Sequence, residues 1–141
     1  MQMVFINLPV TDITRSRAFY ESLGFSINPQ FSDDETACVV VSEAIYFMIM
    51  THRKFAGFSP RPIADTQGST SALIALTRDS RDAVDAFGAA VVANGGSDNG
   101  KPQDLGDVIV GQVARHGSCC WSPGFRSSGQ ARTASTSCAM S

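Results

Sequence analysis

At 141 residues, 43% hydrophobic and 17% charged, the chain has the makeup of one globular domain, long enough to bury roughly two-thirds of its unfolded surface. A formal net charge of −2, with acids and bases intermixed, gives no electrostatic footprint for nucleic acid or an anionic membrane. No apolar run approaches the about twenty residues that span a bilayer, and the opening "MQMVFINLPV" lacks the basic region of a secretory signal; neither nucleic acid nor membrane is expected as a partner, and a cytoplasmic location is expected.

Met3 to Val10 reads as a strand, apolar and β-branched and closed near Pro9. Thr11 or Asp12 is placed to cap a helix through about Leu23, with Ala18, Phe19, Ser22 and Leu23 near helical spacing and Gly24 where a left-handed residue ends it. "FSINPQF" predicts a strand edged by Pro29, and Asp33 to Glu35 a solvated turn. "TACVVVS" and "AIYFMIMT" predict a hairpin around Glu43. His52 to Thr70 reads as a loop whose Phe55 and Phe58 fold back onto the sheet. "SALIALT" predicts a further strand. Ser80 then caps a helix over 81–94 with Val84, Phe87, Val91 and Val92 on one stripe, ending at Gly95-Gly96. The unit strand, polar cap, helix, glycine thus recurs about seventy residues apart, as in two similar modules within one domain. "DVIVGQVA" is compatible with a strand, and from about Ser122 the Ser, Gly, Thr and Ala content predicts a poorly ordered tail.

Residues able to do chemistry are sparse. Cys38, in "ACVVV", reads as a buried free thiol, and Cys119-Cys120 as a reduced pair; Cys138 lies in the tail. Of the two histidines, His52 reads as an exposed strand-end residue beside Arg53 and Lys54. His116 forms a His-x-x-Cys-Cys group with Cys119 and Cys120, which as a metal site lacks a fourth ligand and a rigid frame. No phosphate loop, nucleophile elbow or Ser/His/Asp grouping stands out.

The opening "NLPVTDITRSRAFYESLGF" resembles that of the vicinal oxygen chelate superfamily, which includes glyoxalase I, bleomycin-resistance proteins, fosfomycin-resistance enzymes and extradiol dioxygenases. Leu8, Val10, Asp12, Ser16, Phe19-Tyr20 and Leu23-Gly24-Phe25 carry the resemblance, which extends through the second strand–helix unit to about Gly106. It implies an α+β fold: paired βαβββ modules forming an incomplete mixed β-barrel, commonly completed by a homodimer. The domain is expected over 1–121, with module one at 1–58 and module two at 70–121, and the tail at 122–141. The second module is expected to be truncated or altered, because after Asp107 no acidic residue remains to match the family's final glutamate. A one-base shift of reading frame around "CCWSPGF" would account for this departure.

The resemblance also implies where a metal would bind. The family's first ligand falls at Phe5, the next at Ile49 (Met48 if the register slips by one) and the third near Leu73, and none of these side chains offers a hard lone pair. No metal and no cofactor are therefore expected. The expected function is metal-independent small-molecule binding of the glyoxalase/bleomycin-resistance type, with Phe5, Tyr46, Met48, Met50, His52, Phe55 and Phe58 as candidate ligand-binding residues. Most of these are equally well explained as core. The alternative is a divalent-metal-dependent lyase or dioxygenase using other ligands, which leaves enzyme status open and the catalytic residues unassigned.

Overall fold

The computed structural model describes residues 1–64, 72–78, 80–104, 109–115, 118–125 and 132–138. The chain divides into two compact units, Met1–Asp65 and Thr66–Ala139.

The first unit is a βαβββ module. Strand β1 (Val4–Val10) leads into helix α1 (Ile13–Ser22), followed by β2 (Ser26–Asn28), a short 3-10 turn (Pro29–Phe31), β3 (Thr36–Val40), β4 (Ile45–Thr51) and a one-turn helix α2 (His52–Ala56). The sheet order is β1-β4-β3-β2, with β1 parallel to β4 and the other pairs antiparallel. Asp12 is the N-cap of α1, its carboxylate accepting from the Arg15 N–H at 3.0 Å. Gly24 ends the helix at φ +93°, a conformation that costs other residues steric strain. The buried stripe of α1 is Ser16, Phe19 and Tyr20; Ala18 and Ser22 lie on the exposed side, one step off the predicted stripe.

Pairing sorts side chains onto two faces of this sheet, because successive residues of a strand point opposite ways. Ile6, Leu8 and Val10 share a face with Phe47 and Ile49 of β4 and Ala37 and Val39 of β3, and against that face packs α1. Phe47, Ile49, Ala37 and Val39 are completely buried there. The Tyr20 ring lies 6.2 Å from Phe47 and 6.3 Å from Phe25, so these aromatics seat the helix on the sheet. Truncating Phe47 to Ala removes a fully buried ring, a change that typically costs about 3–5 kcal/mol.

Two expectations for this unit are corrected. His52 does not end a strand: Thr51 closes β4 and caps α2, accepting from the Lys54 N–H at 3.2 Å, so His52 is the first helical residue and is half-buried. The "loop" after it begins as helix because the Thr51 side chain satisfies an otherwise orphaned backbone donor.

The second unit comprises β5 (Ala72–Arg78), α3 (Arg81–Ala93), β6 (Gly96–Asp104), β7 (Ile109–Arg115), β8 (Ser118–Phe125) and β9 (Arg132–Cys138). Ser80 caps α3, accepting from the Ala83 N–H at 3.0 Å, and Val84, Phe87 and Val91 are buried. Val92, placed on that stripe by the sequence, is 49% exposed. The Arg78 guanidinium lies 4.2 Å from the Phe87 ring centre, a cation–π contact. The sheet order is β5-β9-β8-β7-β6, and β5 pairs antiparallel with β9. Here the second unit departs from the first, whose opening strand pairs in parallel with its last. Strand β9 and the last four residues of β8 fall within 122–141, where composition predicted a poorly ordered tail; the β9 run "RTASTSC" carries β-branched threonines, and ladder pairing uses backbone groups that Ser and Thr supply as well as any residue. No helix among the described residues is long and apolar enough to cross a membrane.

Two glycines carry different constraints. A Cβ on Gly24 meets nothing within 4 Å, whereas one on Gly96 meets the Val91 side chain and stands 2.7 Å from its carbonyl oxygen. Gly24→Ala is expected to destabilise by about 1 kcal/mol through backbone strain alone. Gly96→Ala is expected to cost more, because backbone must shift. Urea denaturation midpoints of the two variants check the ranking.

Candidate functional site

The face of the first sheet turned away from α1 carries Phe5, Asn7 and Pro9 of β1, Tyr46, Met48 and Met50 of β4, and Cys38 and Thr36 of β3. A cavity of about 460 Å³ opens on this face, within the roughly 300–1,000 Å³ usual for small-molecule sites. Its floor is Met48, Met50 and Thr36, with Asn7 beside them on β1. One wall is formed by Gln30, Phe31, Ser32 and Asp33, the other by Lys54 and Phe58. Phe31 is 60% and Phe58 74% exposed, unusual for phenylalanine, while Met50 is buried. Flexible thioethers under two open rings adapt to the outline of an organic ligand.

Polar contacts hold both walls. Asn28 Oδ1 accepts from the Gln30 N–H at 3.0 Å and fixes the start of the 3-10 turn, whose Pro29 has no N–H to satisfy. The Ser32 hydroxyl donates to the Asn28 carbonyl at 2.6 Å and accepts from the Cys38 N–H at 3.0 Å, tying this wall to β3. Asp33 Oδ1 accepts from the Glu35 N–H at 2.8 Å, closing an Asx turn. On the opposite wall, Thr51 both accepts from the Lys54 N–H and donates its hydroxyl to Glu35 Oε1 at 3.2 Å. Arg53 Nε reaches the same Glu35 oxygen at 2.8 Å. Glu35, expected in a solvated turn, thus joins the start of β3 to the start of α2.

These contacts set the electrostatics. The hydrogen bond from Arg53 holds the Glu35 carboxyl below its ordinary range, and the Glu35 N–H does the same for Asp33. Both acids are therefore ionised at neutral pH. Burial pushes the Cys38 thiol up, so it is protonated and unreactive. Lys54 and Asp33 both line the cavity, and neither makes an ion pair among the described residues.

Of the sequence-predicted ligand-binding residues, Met48, Met50 and Phe58 come together in the cavity. Phe5 and Tyr46 occupy the same sheet face two residues further along each strand, stacked on each other at 4.9 Å between ring centres. His52 and Phe55 lie in α2, half-buried, and do not line the cavity. Asn7, Gln30, Phe31, Ser32, Asp33, Thr36 and Lys54 were not singled out from the sequence. Asn7 had a legible signal, since it lies two residues from Phe5 on one strand and therefore shares its face.

The family's metal set does not fit these residues. Ile49 is fully buried against α1, so of the two registers only Met48 shares a face with Phe5, and neither side chain is a ligand for a hard divalent ion. Among the described residues no group of three His, Cys, Asp or Glu side chains is placed to hold a metal ion. Leu73 lies on β5, Cys119 and Cys120 on β8, and His116 lies outside the described residues.

Because Glu35 is the depressed group, the stabilisation from its ion pair is present above the carboxyl's unfolded pKa and is lost as pH falls through the lower folded value. Carboxyl NMR titration is expected to give Glu35 a midpoint below that of an ordinary glutamate. In Arg53→Ala the midpoint is expected to return towards that value.

Residues 2–42 match the model of the family described as bleomycin resistance protein-like N-terminal. Among curated proteins nothing matches. Solved structures do. A hypothetical protein from S. aureus is similar at 19% identity and TM-score 0.68, covering 94% of this chain and 92% of its own. A glyoxalase/bleomycin resistance protein/dioxygenase family enzyme from Burkholderia phytofirmans PsJN is similar at 16% identity and TM-score 0.65, covering 82% and 91%. A glyoxalase/bleomycin resistance protein from Albidiferax ferrireducens T118 reaches 26% identity at TM-score 0.55, covering 80% and 88%. The opening strand and helix thus match that N-terminal family, and the fold is shared with glyoxalase and bleomycin-resistance proteins over most of the chain.

Proposed function

We propose that this chain is a metal-independent small-molecule-binding protein of the glyoxalase/bleomycin-resistance type, with the cavity of the first unit as its ligand site. One observation carries this reading. Where the superfamily's metal-using members set nitrogen and oxygen donors, this sheet sets a phenylalanine and a methionine, and beside them lies a thioether-floored cavity flanked by two exposed rings. Chemistry that polarises a substrate oxygen needs a Lewis acid, and the donors to hold one are missing from these positions. Binding needs only apolar area and shape, which methionine and phenylalanine supply. Assembly as a homodimer in the cytoplasm is part of the proposal.

The test is a thermal-shift screen of planar aromatic compounds on protein dialysed against a strong chelator. Stabilisation that survives chelation is expected. Stoichiometric divalent metal, retained through purification and required for turnover of a glyoxalase-type substrate, overturns the reading in favour of a lyase or dioxygenase. For any compound that binds, Phe58→Ala is expected to weaken affinity roughly three- to tenfold, the range one aromatic contact supplies. It should leave the unliganded melting temperature unchanged, because the ring is 74% exposed.

A further inference from the structure

Two opposite charges, Asp33 and Lys54, face the same cavity; Lys54 acts on the Asp33 carboxylate through space, but no ion pair within 4.0 Å joins them. Arg53 and Glu35 are committed to one another, and Glu35 also to Thr51, so neither is free to read a ligand; Arg17 and Asp34 adjoin Asp33 in a separate pocket and do not line this cavity. Asp33 and Lys54 line the cavity on opposite walls, and among the described residues neither has an ion-pair partner within 4.0 Å. Each wall that carries a charge also carries an exposed ring: Phe31 beside Asp33, and Phe58 beyond Lys54.

A neutral aromatic ligand in this cavity would strip water from both charges and return nothing. A ligand with one charge would pair with one group and set a like charge near the other. Only a ligand with both signs close together, beside an apolar body, compensates both, since Lys54 is near enough to Asp33 to act on its carboxylate. Resting on the reading of this cavity as the ligand site, we propose that the ligand is a planar aromatic zwitterion of the aromatic α-amino acid class. Its ring lies between Phe31 and Phe58 over the methionine floor, its ammonium faces Asp33 and its carboxylate faces Lys54. The Asx turn holds the Asp33 carboxylate in place before the ligand arrives, which lowers the ordering cost of binding.

Calorimetric titration of the full chain at neutral pH with four probes of one ring system tests this: tryptophan (zwitterion), indolepropionate (anion), tryptamine (cation) and tryptophol (neutral). Tryptophan is expected to bind at least about tenfold tighter than each of the others, the size of one charge-assisted contact. Asp33→Asn keeps an acceptor for the turn, and in it tryptophan is expected to fall to the level of indolepropionate. In Lys54→Gln it is expected to fall to the level of tryptamine. Circular dichroism and melting temperature confirm that each variant is folded. Equal affinity for all four probes, or a tryptophan affinity that neither substitution changes, overturns the charge pairing and leaves the cavity as a binding site. If no probe binds, the proposal fails, and the aromatic screen above then decides separately whether the binding reading falls with it.

Discussion

The parallel pairing of β1 with β4 is the constraint from which the first unit follows. Once Phe5 lies opposite Tyr46 and Asn7 opposite Met48, strand alternation leaves no freedom about which side chains meet α1 and which meet the cavity. A slip of β1 by one residue would turn Ile6, Leu8 and Val10 away from the helix and bring Asn7 under it. The apolar cost of that exchange, about 25 cal/mol for each Å² of apolar surface returned to water, is what holds the register. The chemistry of the cavity is thus set by the same pairing that builds the core.

That register also bears on why a metal site is absent from these positions. In a strand the cavity face receives alternate residues only, so the choice at each such position is between a donor and a wall. Here Phe5, Met48 and Met50 are walls, and the polar groups have moved to the connections. Asp33 sits in an Asx turn and Lys54 in a short helix, where side chains are positioned by turn and cap hydrogen bonds instead of by the sheet.

Much of the fold was legible from local chemistry. Asp12, Ser80, Gly24 and Gly95 behave as their residue types dictate, because caps and left-handed helix ends depend on one side chain and its nearest backbone. The cavity was half legible: Met48, Met50 and Phe58 were found through an apolar pattern, but Asp33, Lys54 and Gln30 were not. Their role depends on β3 returning beside β4 so that residue 35 meets residue 53, a contact that no local pattern encodes. The placement of β9 beside β5 was hidden for a similar reason. A Ser/Thr-rich strand has no apolar alternation to betray it, and its partner is chosen by long-range pairing.

Thr51 is at once the last residue of β4 and the cap of α2, so no slack separates the floor of the cavity from the wall bearing Lys54 and Phe58. Residues 48 to 58 form one continuous brace, and a bulkier guest cannot push the floor and that wall apart. The facing side, the Pro29–Phe31 turn, is held instead by the Ser32 hydroxyl and the bend at Asp33. The two sides of the cavity are thus held by different devices, one by unbroken chain through Thr51 and the other by side-chain hydrogen bonds, so substitutions at residues 28, 32 and 33 would alter its outline on one side only.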